Sequence, residues 1–180
     1  MAKPATPKFI RRVVTGHDAH GKSVILSDGM PPNVRDKATD VDFIEIWNTA
    51  ETPAPIRATE AEPTDGPLVV PPARQGTKIR VNDFYPGHIL KLPERTDGRH
   101  RMMHRTRSID YGIVLEGEIY MIMDDQEVLL KAGDIVVQRG TDHAWENRSD
   151  KLCRMAFILV AGEFTQELLD ILPKQIELRT

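Results

Sequence analysis

The strongest constraint on the fold of this chain is a series of short apolar runs that begins at Thr77. Turn residues separate the runs at a spacing of roughly ten residues, which is typical of a β-sandwich or barrel. The runs are TKIRVNDFYPG, SIDYGIVLEG, EIYMIMDD, QEVLLKAG, DIVVQRG, HAWENRS and KLCRMAFILVAG. The sequence therefore predicts an all-β barrel over residues 77–162.

Residues 1–76 are predicted to form an arm, short strands and a proline-rich connection that pack on the barrel. RRVVTGHDAHGKSVILSDG predicts two strands around the turn residues Asp18 to Gly21, and DFIEIWNT predicts another strand. Residues 50–76 hold six of the thirteen prolines. A long irregular connection is expected there.

Residues 163–180 are predicted to form a C-terminal helix and tail. GEFTQELLDILP has a helical apolar period, and Pro173 is expected to end the helix. One face of that helix would carry the apolar side chains Phe164, Leu168, Leu169, Ile171 and Leu172.

The composition favours a single globular domain. The chain has 180 residues, 40% of them hydrophobic, and a net charge of -3, which does not favour nucleic acid as a partner. The single cysteine, Cys153, permits no internal disulfide and is expected to be buried and inert. No segment approaches the roughly 20 apolar residues of a membrane helix, and the N-terminus lacks the apolar region of a secretory signal. We expect a cytoplasmic protein without a membrane partner.

Residues 98–117, GRHRMMHRTRSIDYGIVLEG, place four arginines and two histidines ahead of an apolar run. If the stretch is extended, its side chains alternate between two faces. One face would carry all four arginines and is most simply an outer face. The other face would carry the small polar and ligand-type side chains, together with one methionine: His100, Met102, His104, Thr106, Ser108 and Asp110.

Two residues on this inward face are metal-ligand types, and a third follows later in the chain. His104 and Asp110 share the face, and His143 comes after a turn at Gly140. Two imidazoles and one carboxylate are a donor set that holds Fe(II), Mn(II) or Zn(II) while leaving coordination positions open. The residues thus predict a divalent-metal site at His104, His143 and Asp110.

The same stretch resembles the first motif of the cupin superfamily. That motif runs Gly, five residues, His-x-His, three or four residues, Glu, six residues, Gly. In this chain Gly98, His104, Thr106, Asp110 and Gly117 stand in that register. Thr106 takes the place of the second histidine, and Asp110 takes the place of the glutamate.

A later stretch resembles the second cupin motif, which runs Gly, five residues, Pro-x-Gly, two residues, His, three residues, Asn. Gln138 and Gly140 stand in the Pro-x-Gly positions, followed at the expected spacing by His143 and Asn147. Gln138 replaces the proline, and Gly133 lies one place later than the motif has its first glycine.

The resemblance is to small cupins of the conserved-barrel cupin 2 type, and it implies a double-stranded β-helix, a jelly-roll barrel. The N-terminal strands and the short C-terminal helix would be additions to that barrel. In cupins the matching positions face inward and hold a metal near the barrel mouth. Two alternatives follow from the substitutions at Thr106 and Asp110. Either His100 supplies the missing ligand, or Asp110 and Thr106 form a hydrogen-bonded pair in a metal-free barrel.

Other side chains are candidates for lining a substrate pocket. Trp145 shares the face of His143 and would contact an aromatic or apolar substrate, unless it is ordinary core. Three more residues are assigned to substrate binding beside it: Thr106, Met102 and Tyr120. Phe157 is a weaker candidate. The remaining histidines are expected outside the site, with His88 at the rim or surface and His17 and His20 exposed at a hairpin turn.

These residues and the resemblance together suggest a small metal-dependent enzyme. It would act on a small oxygen-bearing metabolite, such as an aromatic one, by decarboxylase, lyase, isomerase or dioxygenase chemistry, with Asp110 and His143 as catalytic residues. The alternative is a binding module that holds a small molecule without metal or chemistry. A homodimer is also expected, in which the DFIEIW run pairs with a neighbour's sheet edge.

Overall fold

The computed structural model describes residues 10–36 and 40–172. Within these residues the chain is built almost wholly from strands, with a short 3₁₀ turn (His88–Lys91) and one helix, α1 (Gln166–Ile171). The strands are β1 (Arg12–His17), β2 (Ser23–Gly29), β3 (Val34–Asp36), β4 (Val41–Asn48), β5 (Thr77–Phe84), β6 (Ser108–Glu116), β7 (Glu118–Ile122), β8 (Glu127–Lys131), β9 (Ile135–Arg139), β10 (Ala144–Glu146) and β11 (Cys153–Ala161).

In the described part of the chain these strands form three sheets, and neighbouring strands run antiparallel. The largest sheet has the order β3-β4-β5-β11-β6-β9, and the second has the order β10-β7-β8. β1 and β2 form a separate hairpin. Because the chain crosses from one large sheet to the other several times, the fold is of the jelly-roll type. The prediction of an all-β barrel is confirmed.

The two large sheets enclose one hydrophobic core. Val114 from β6, Ile119 from β7 and Met155 from β11 are at most 1% exposed. They share a cluster with side chains of both sheets: Val41, Phe43, Phe84, Met121, Leu130, Trp145, Cys153, Phe157 and Leu159. Each large apolar side chain buried in this way contributes roughly 1.5–3 kcal/mol. Burial in this core also raises the pKa of the Cys153 thiol to about 12, as expected of an inert cysteine.

The N-terminal hairpin follows the prediction. β1 and β2 pair around a turn in which Asp18 Oδ1 accepts hydrogen bonds from the backbone N–H groups of His20 and Lys22. His17 and His20 are exposed, as expected. Residues 50–76, all of which the structure describes, contain no strand or helix. The irregular connection is therefore confirmed.

Strand β4 has both of its edges paired within the same chain over part of its length. Ile44 lies opposite Val34 of β3 on one edge and opposite Val81 of β5 on the other. β3 pairs only with Asp42, Phe43 and Ile44 of β4, which leaves the outer edge of the later residues of β4 without a strand partner among the described residues. The homodimer, with the DFIEIW run as its pairing strand, stays a prediction.

Helix α1 is shorter and less buried than the apolar period suggests. The Thr165 hydroxyl caps it by accepting a hydrogen bond from the backbone N–H of Leu168 at 3.3 Å. Leu169 is 40% exposed and Ile171 is 78% exposed, so the predicted five-residue apolar face is wrong at those two positions. Pro173 lies outside the described residues.

No helix among the described residues is long and apolar enough to cross a membrane. The boundaries proposed for the three parts of the chain, 1–76, 77–162 and 163–180, stay predictions.

Candidate active site

Strand β6 carries the polar residues of the first motif into the barrel. From Thr106 to Tyr111 the side chains alternate between buried and exposed, as period-two geometry requires. Thr106, Ser108 and Asp110 are each at most 6% exposed. The prediction that these three share the inward face is confirmed.

The alternation does not extend back to Gly98, because β6 begins only at Ser108. Arg105 is 4% exposed rather than on an outer face, and its Nη2 atom donates to Asp142 Oδ2 at 2.7 Å. Arg99 pairs with the same oxygen at 3.0 Å. The prediction of four arginines on one outer face is therefore wrong for Arg105. Arg107 is exposed and lies over the Phe164 ring.

A backbone bridge brings the histidines of the two motifs together. The N–H of His104 donates to His143 O at 3.0 Å, and the N–H of His143 donates to His104 O at 2.9 Å. The two ring centroids are 4.3 Å apart. The segment before β6 therefore joins the strand that continues into β10, and it places one imidazole beside the other.

Backbone carbonyls hold both imidazole rings by the same nitrogen. His104 Nδ1 is 2.8 Å from Met102 O, and His143 Nδ1 is 3.0 Å from Thr141 O. A carbonyl accepts but cannot donate, so His104 Nδ1 donates to Met102 O. His143 Nδ1 lies between two groups of opposite kind, the Thr141 carbonyl oxygen, which accepts, and the Gln138 amide nitrogen, which donates. The Gln138 amide, in the position of the motif proline, lies 3.1 Å from His143 Nδ1.

A glycine is required at the turn that leads to His143. Gly140 has a φ of +60°, and a Cβ there would lie 2.6 Å from the ring of Phe164. Any other residue would be strained and would displace this ring. The glycine of the second motif thus sets the path of residues 140–143 toward the histidine bridge.

Asp110 lies on the largest sheet, opposite Gln138 of β9 and Leu159 of β11. Burial raises the pKa of its carboxyl group to about 6, while the Ser108 hydroxyl and the charge of Arg80 oppose the rise. Asp110 Oδ1 is buried and has no hydrogen-bond partner among the described residues. The alternative in which Asp110 pairs with Thr106 is not seen. Thr106 Oγ1 instead accepts a hydrogen bond from the Ser108 hydroxyl at 2.8 Å.

These side chains line one cavity between the two large sheets. Its walls include five predicted residues besides Asp110: Met102, His104, Thr106, His143 and Trp145. Phe157, the weaker candidate, also lines it. The sequence prediction missed six members of the wall: Phe43, Val70, Arg80, Asn82, Phe84 and Leu159. The cavity holds about 30 Å³ of free space, which is enough to admit water.

Two candidate residues, Tyr120 and His100, lie outside the cavity. The Tyr120 ring does not line the cavity but lies under Arg148, 4.2 Å from its guanidinium carbon. It points away from the core because its β7 neighbours Ile119 and Met121 point inward. His100 Nε2 lies 3.8 Å from Glu146 Oε2, outside the cavity wall. It therefore does not replace the missing ligand.

His88 was expected at the rim or surface, and that prediction is wrong. Its side chain is fully buried, with Nδ1 3.1 Å from Tyr85 O and Nε2 3.1 Å from Trp145 O. Burial lowers the pKa of the imidazole. His88 therefore lies between the 3₁₀ turn and β10 as a buried structural residue, and a neutral ring donates to one of these two carbonyl groups.

The side chains present do not complete the predicted metal site. In residues 10–36 and 40–172, no three histidine, cysteine, aspartate or glutamate side chains gather closely enough to hold one metal ion. His104 and His143 meet across the backbone bridge, whereas Asp110 belongs to the larger sheet and does not join them. Thr106, in the position of the second motif histidine, adds only a neutral hydroxyl that is already hydrogen-bonded.

Comparison with known proteins identifies the family. A family model described as cupin domain matches residues 89–161. A phomopsin biosynthesis cluster protein D from Diaporthe leptostromiformis is 36% identical over 162 residues, covering 84% of this chain and 78% of that protein. The chain belongs to the cupin family, as its motifs suggested.

Two further proteins are similar. A cupin-domain-containing oxidoreductase, fogC, from Aspergillus ruber is 33% identical and covers 83% of this chain and 71% of its own length. Among solved structures, the cupin domain of Schizosaccharomyces pombe Cnp3 is 11% identical, with a TM-score of 0.48 over 84% of this chain and 87% of that chain.

Proposed function

We propose that this cupin is an enzyme of small-molecule metabolism that moves a proton at a carbon next to a carbonyl group. The observation that carries the proposal is Asp110, a buried carboxyl group with a raised pKa in a cavity shared with two imidazoles and a guanidinium. A carboxyl group poised near neutral pH suits a general base and acid. The class of reaction is isomerisation or elimination on an oxygen-bearing metabolite.

Residues that line the cavity can carry out each step of this proton transfer. The Asp110 carboxylate takes a proton from the carbon beside the carbonyl, and the electrons of that C–H bond form the C=C bond of an enolate. The negative charge develops on the former carbonyl oxygen, where the positive charge of Arg80 stabilises it. Asp110 then returns the proton to the same carbon or, where a C=C bond is conjugated with the enolate, to the far carbon of that bond, and the C=O bond re-forms as the enolate electrons move to the protonated carbon. His104 and His143 line the same cavity and would contact the substrate.

The proposal is tested by isotope exchange, which needs no knowledge of the natural substrate. The protein is incubated in deuterium oxide near neutral pH with acetylacetone, phenylpyruvate and acetophenone, and deuterium in each compound is measured by mass spectrometry. We expect exchange above the uncatalysed rate for at least one compound. We expect Asp110→Asn to slow that exchange by about a hundredfold or more.

The matched control is Asp150→Asn, an exposed aspartate in the turn before β11. This variant is expected to exchange at the wild-type rate. Equal rates in the wild type and Asp110→Asn would contradict the proposal. Binding of a compound without exchange in any of them would instead support the non-catalytic binding module.

A metal-dependent oxidation is the second candidate. The names of several relatives, which call them cupin-domain-containing oxidoreductases, support it. The two histidines held by backbone carbonyls also support it, since that arrangement orients imidazoles that bind metals. The test is metal analysis of protein purified without chelator, followed by oxygen-uptake assays after addition of Fe(II), Mn(II) or Zn(II). Stoichiometric metal that is lost in His143→Ala would favour this candidate.

The cytoplasmic location and the small-molecule partner expected from the sequence stay part of this proposal.

A further inference from the structure

An unpartnered acceptor atom faces the same cavity from strand β5. Asn82 is 4% exposed and lines the cavity, yet its Oδ1 atom has no hydrogen-bond partner among the described residues. A buried carbonyl oxygen left without a donor costs roughly 1–3 kcal/mol. A ligand that brings an O–H or N–H group to this atom would recover that free energy.

Arg80 lies one step along the same face of β5. Residues two apart on a strand share a face, so the Cα atoms of Arg80 and Asn82 are about 6.6 Å apart. The Arg80 guanidinium is held by donating to Val70 O at 3.0 Å and lies 5.3 Å from the Phe43 ring. β5 thus presents a fixed cation and an oxygen acceptor side by side.

The rest of the wall favours an aromatic, uncharged ligand. Four aromatic side chains line the cavity: Phe43, Phe84, Trp145 and Phe157. The positive charge of Arg80 and the negative charge of Asp110 offset each other, so binding of a neutral ligand adds no net charge to the cavity. A ligand larger than water must displace part of the wall. Met102 suits that movement, because it is a flexible side chain in the segment ahead of β6 that forms no regular strand.

We propose that the cavity recognises an uncharged aromatic hydroxy-carbonyl compound, with its carbonyl oxygen at Arg80 and its hydroxyl donating to Asn82 Oδ1. Asn82 is then the residue that selects a hydroxylated substrate over one without the hydroxyl group. This assignment rests on the proposed function, since it places the carbonyl where Arg80 stabilises an enolate.

The test compares three acetophenones by calorimetry or by quenching of tryptophan fluorescence. 3-Hydroxyacetophenone carries a donor, 3-methoxyacetophenone carries only an acceptor, and acetophenone carries neither. We expect the hydroxy compound to bind wild-type protein about tenfold more tightly than the other two. 3-Hydroxybenzoate, which is charged, is expected to bind more weakly than 3-hydroxyacetophenone.

Asn82→Leu is the diagnostic variant. It removes the unpartnered oxygen at similar volume, so we expect the ligand-free protein to melt at the same temperature or higher. The tenfold preference for the hydroxy compound should disappear. A preference that survives in Asn82→Leu would overturn the assignment. So would equal binding of the three compounds to wild-type protein, a result that does not depend on how the variant folds.

The experiments distinguish a failure of the Asn82 assignment from a failure of the proposed function. Loss of exchange in Asp110→Asn with no hydroxyl preference would leave the proposed function standing and remove the role of Asn82. A hydroxyl preference without exchange in any compound would retain the binding role of Asn82 and remove the proton-transfer chemistry.

Discussion

Replacing Arg154 by methionine is expected to lower the free energy of unfolding by about 3 to 5 kcal/mol, the largest effect of any single change considered for this fold. Arg154 on β11 donates from Nε to Asp83 Oδ1 on β5 at 2.6 Å, and from Nη2 to Oδ2 at 2.5 Å. Asp83 is 0% exposed. Without the guanidinium, a buried carboxylate is left uncompensated in the central strands of the larger sheet.

Urea denaturation of three variants checks this prediction. The double variant Asp83→Leu with Arg154→Met removes both charges and should regain most of the loss. Arg11→Met breaks the exposed pair of Arg11 with Asp28 and should leave the free energy of unfolding nearly unchanged. Equal stability of Arg154→Met and Arg11→Met would contradict the prediction that the buried Arg154–Asp83 ion pair stabilises the fold.

Asp110→Asn is expected to stabilise the protein above pH 6, by about 2 to 3 kcal/mol. Burial raises the pKa of Asp110 from 3.8 to about 6 in the folded protein, and a tenfold change in a proton-binding constant corresponds to about 1.4 kcal/mol. At neutral pH the folded protein must hold a carboxylate that the cavity solvates poorly. Asparagine resembles the protonated form and removes that cost, although it also removes the proposed base.

The pH dependence gives the sign of this effect. Well below pH 3.8, Asp110 is protonated in both the folded and the unfolded chain, so the variant and the wild type should be equally stable. Between pH 4 and 6 the folded chain binds more protons than the unfolded chain, so wild-type stability falls as pH rises. The gap to Asp110→Asn therefore opens over this range and then stays constant. Urea denaturation at intervals from pH 4 to 8 measures it, with Asp150→Asn as the exposed control. If the free energies of unfolding of the wild type and Asp110→Asn change in parallel with pH, Asp110 is not desolvated in the folded protein.

The sequence predicted the architecture well because strand spacing is a local property. Short apolar runs between turn residues identified the barrel, and the hairpin and the irregular connection followed from their own residues. The position of His88 could not be predicted in this way. Its burial depends on carbonyl groups of Tyr85 and of Trp145, and the second is distant in sequence and meets it only in the folded chain.

The candidate site was predicted in part. Period-two alternation correctly placed Thr106 and Asp110 on one inward face. It could not show where β6 begins, so Arg105 was assigned to the wrong environment. Arg80 and Asn82 were missed because polar residues alternating with Ile79 and Val81 usually indicate a solvent face. Here the polar side of β5 faces inward. No sequence motif marks Arg80 and Asn82, and only the cavity of the folded chain identifies them as site residues.

The most direct test of the proposed chemistry is a crystal structure of the protein with the compound that exchanges deuterium fastest. We expect the compound to lie between the two large sheets, with its carbonyl group near Arg80 and its exchanging carbon within reach of Asp110. Two surface grooves offer other places for the compound, one lined by Trp47 and one lined by Gly140 and Leu168. Density for the compound in either groove, with the interior cavity unchanged, would contradict the proposal.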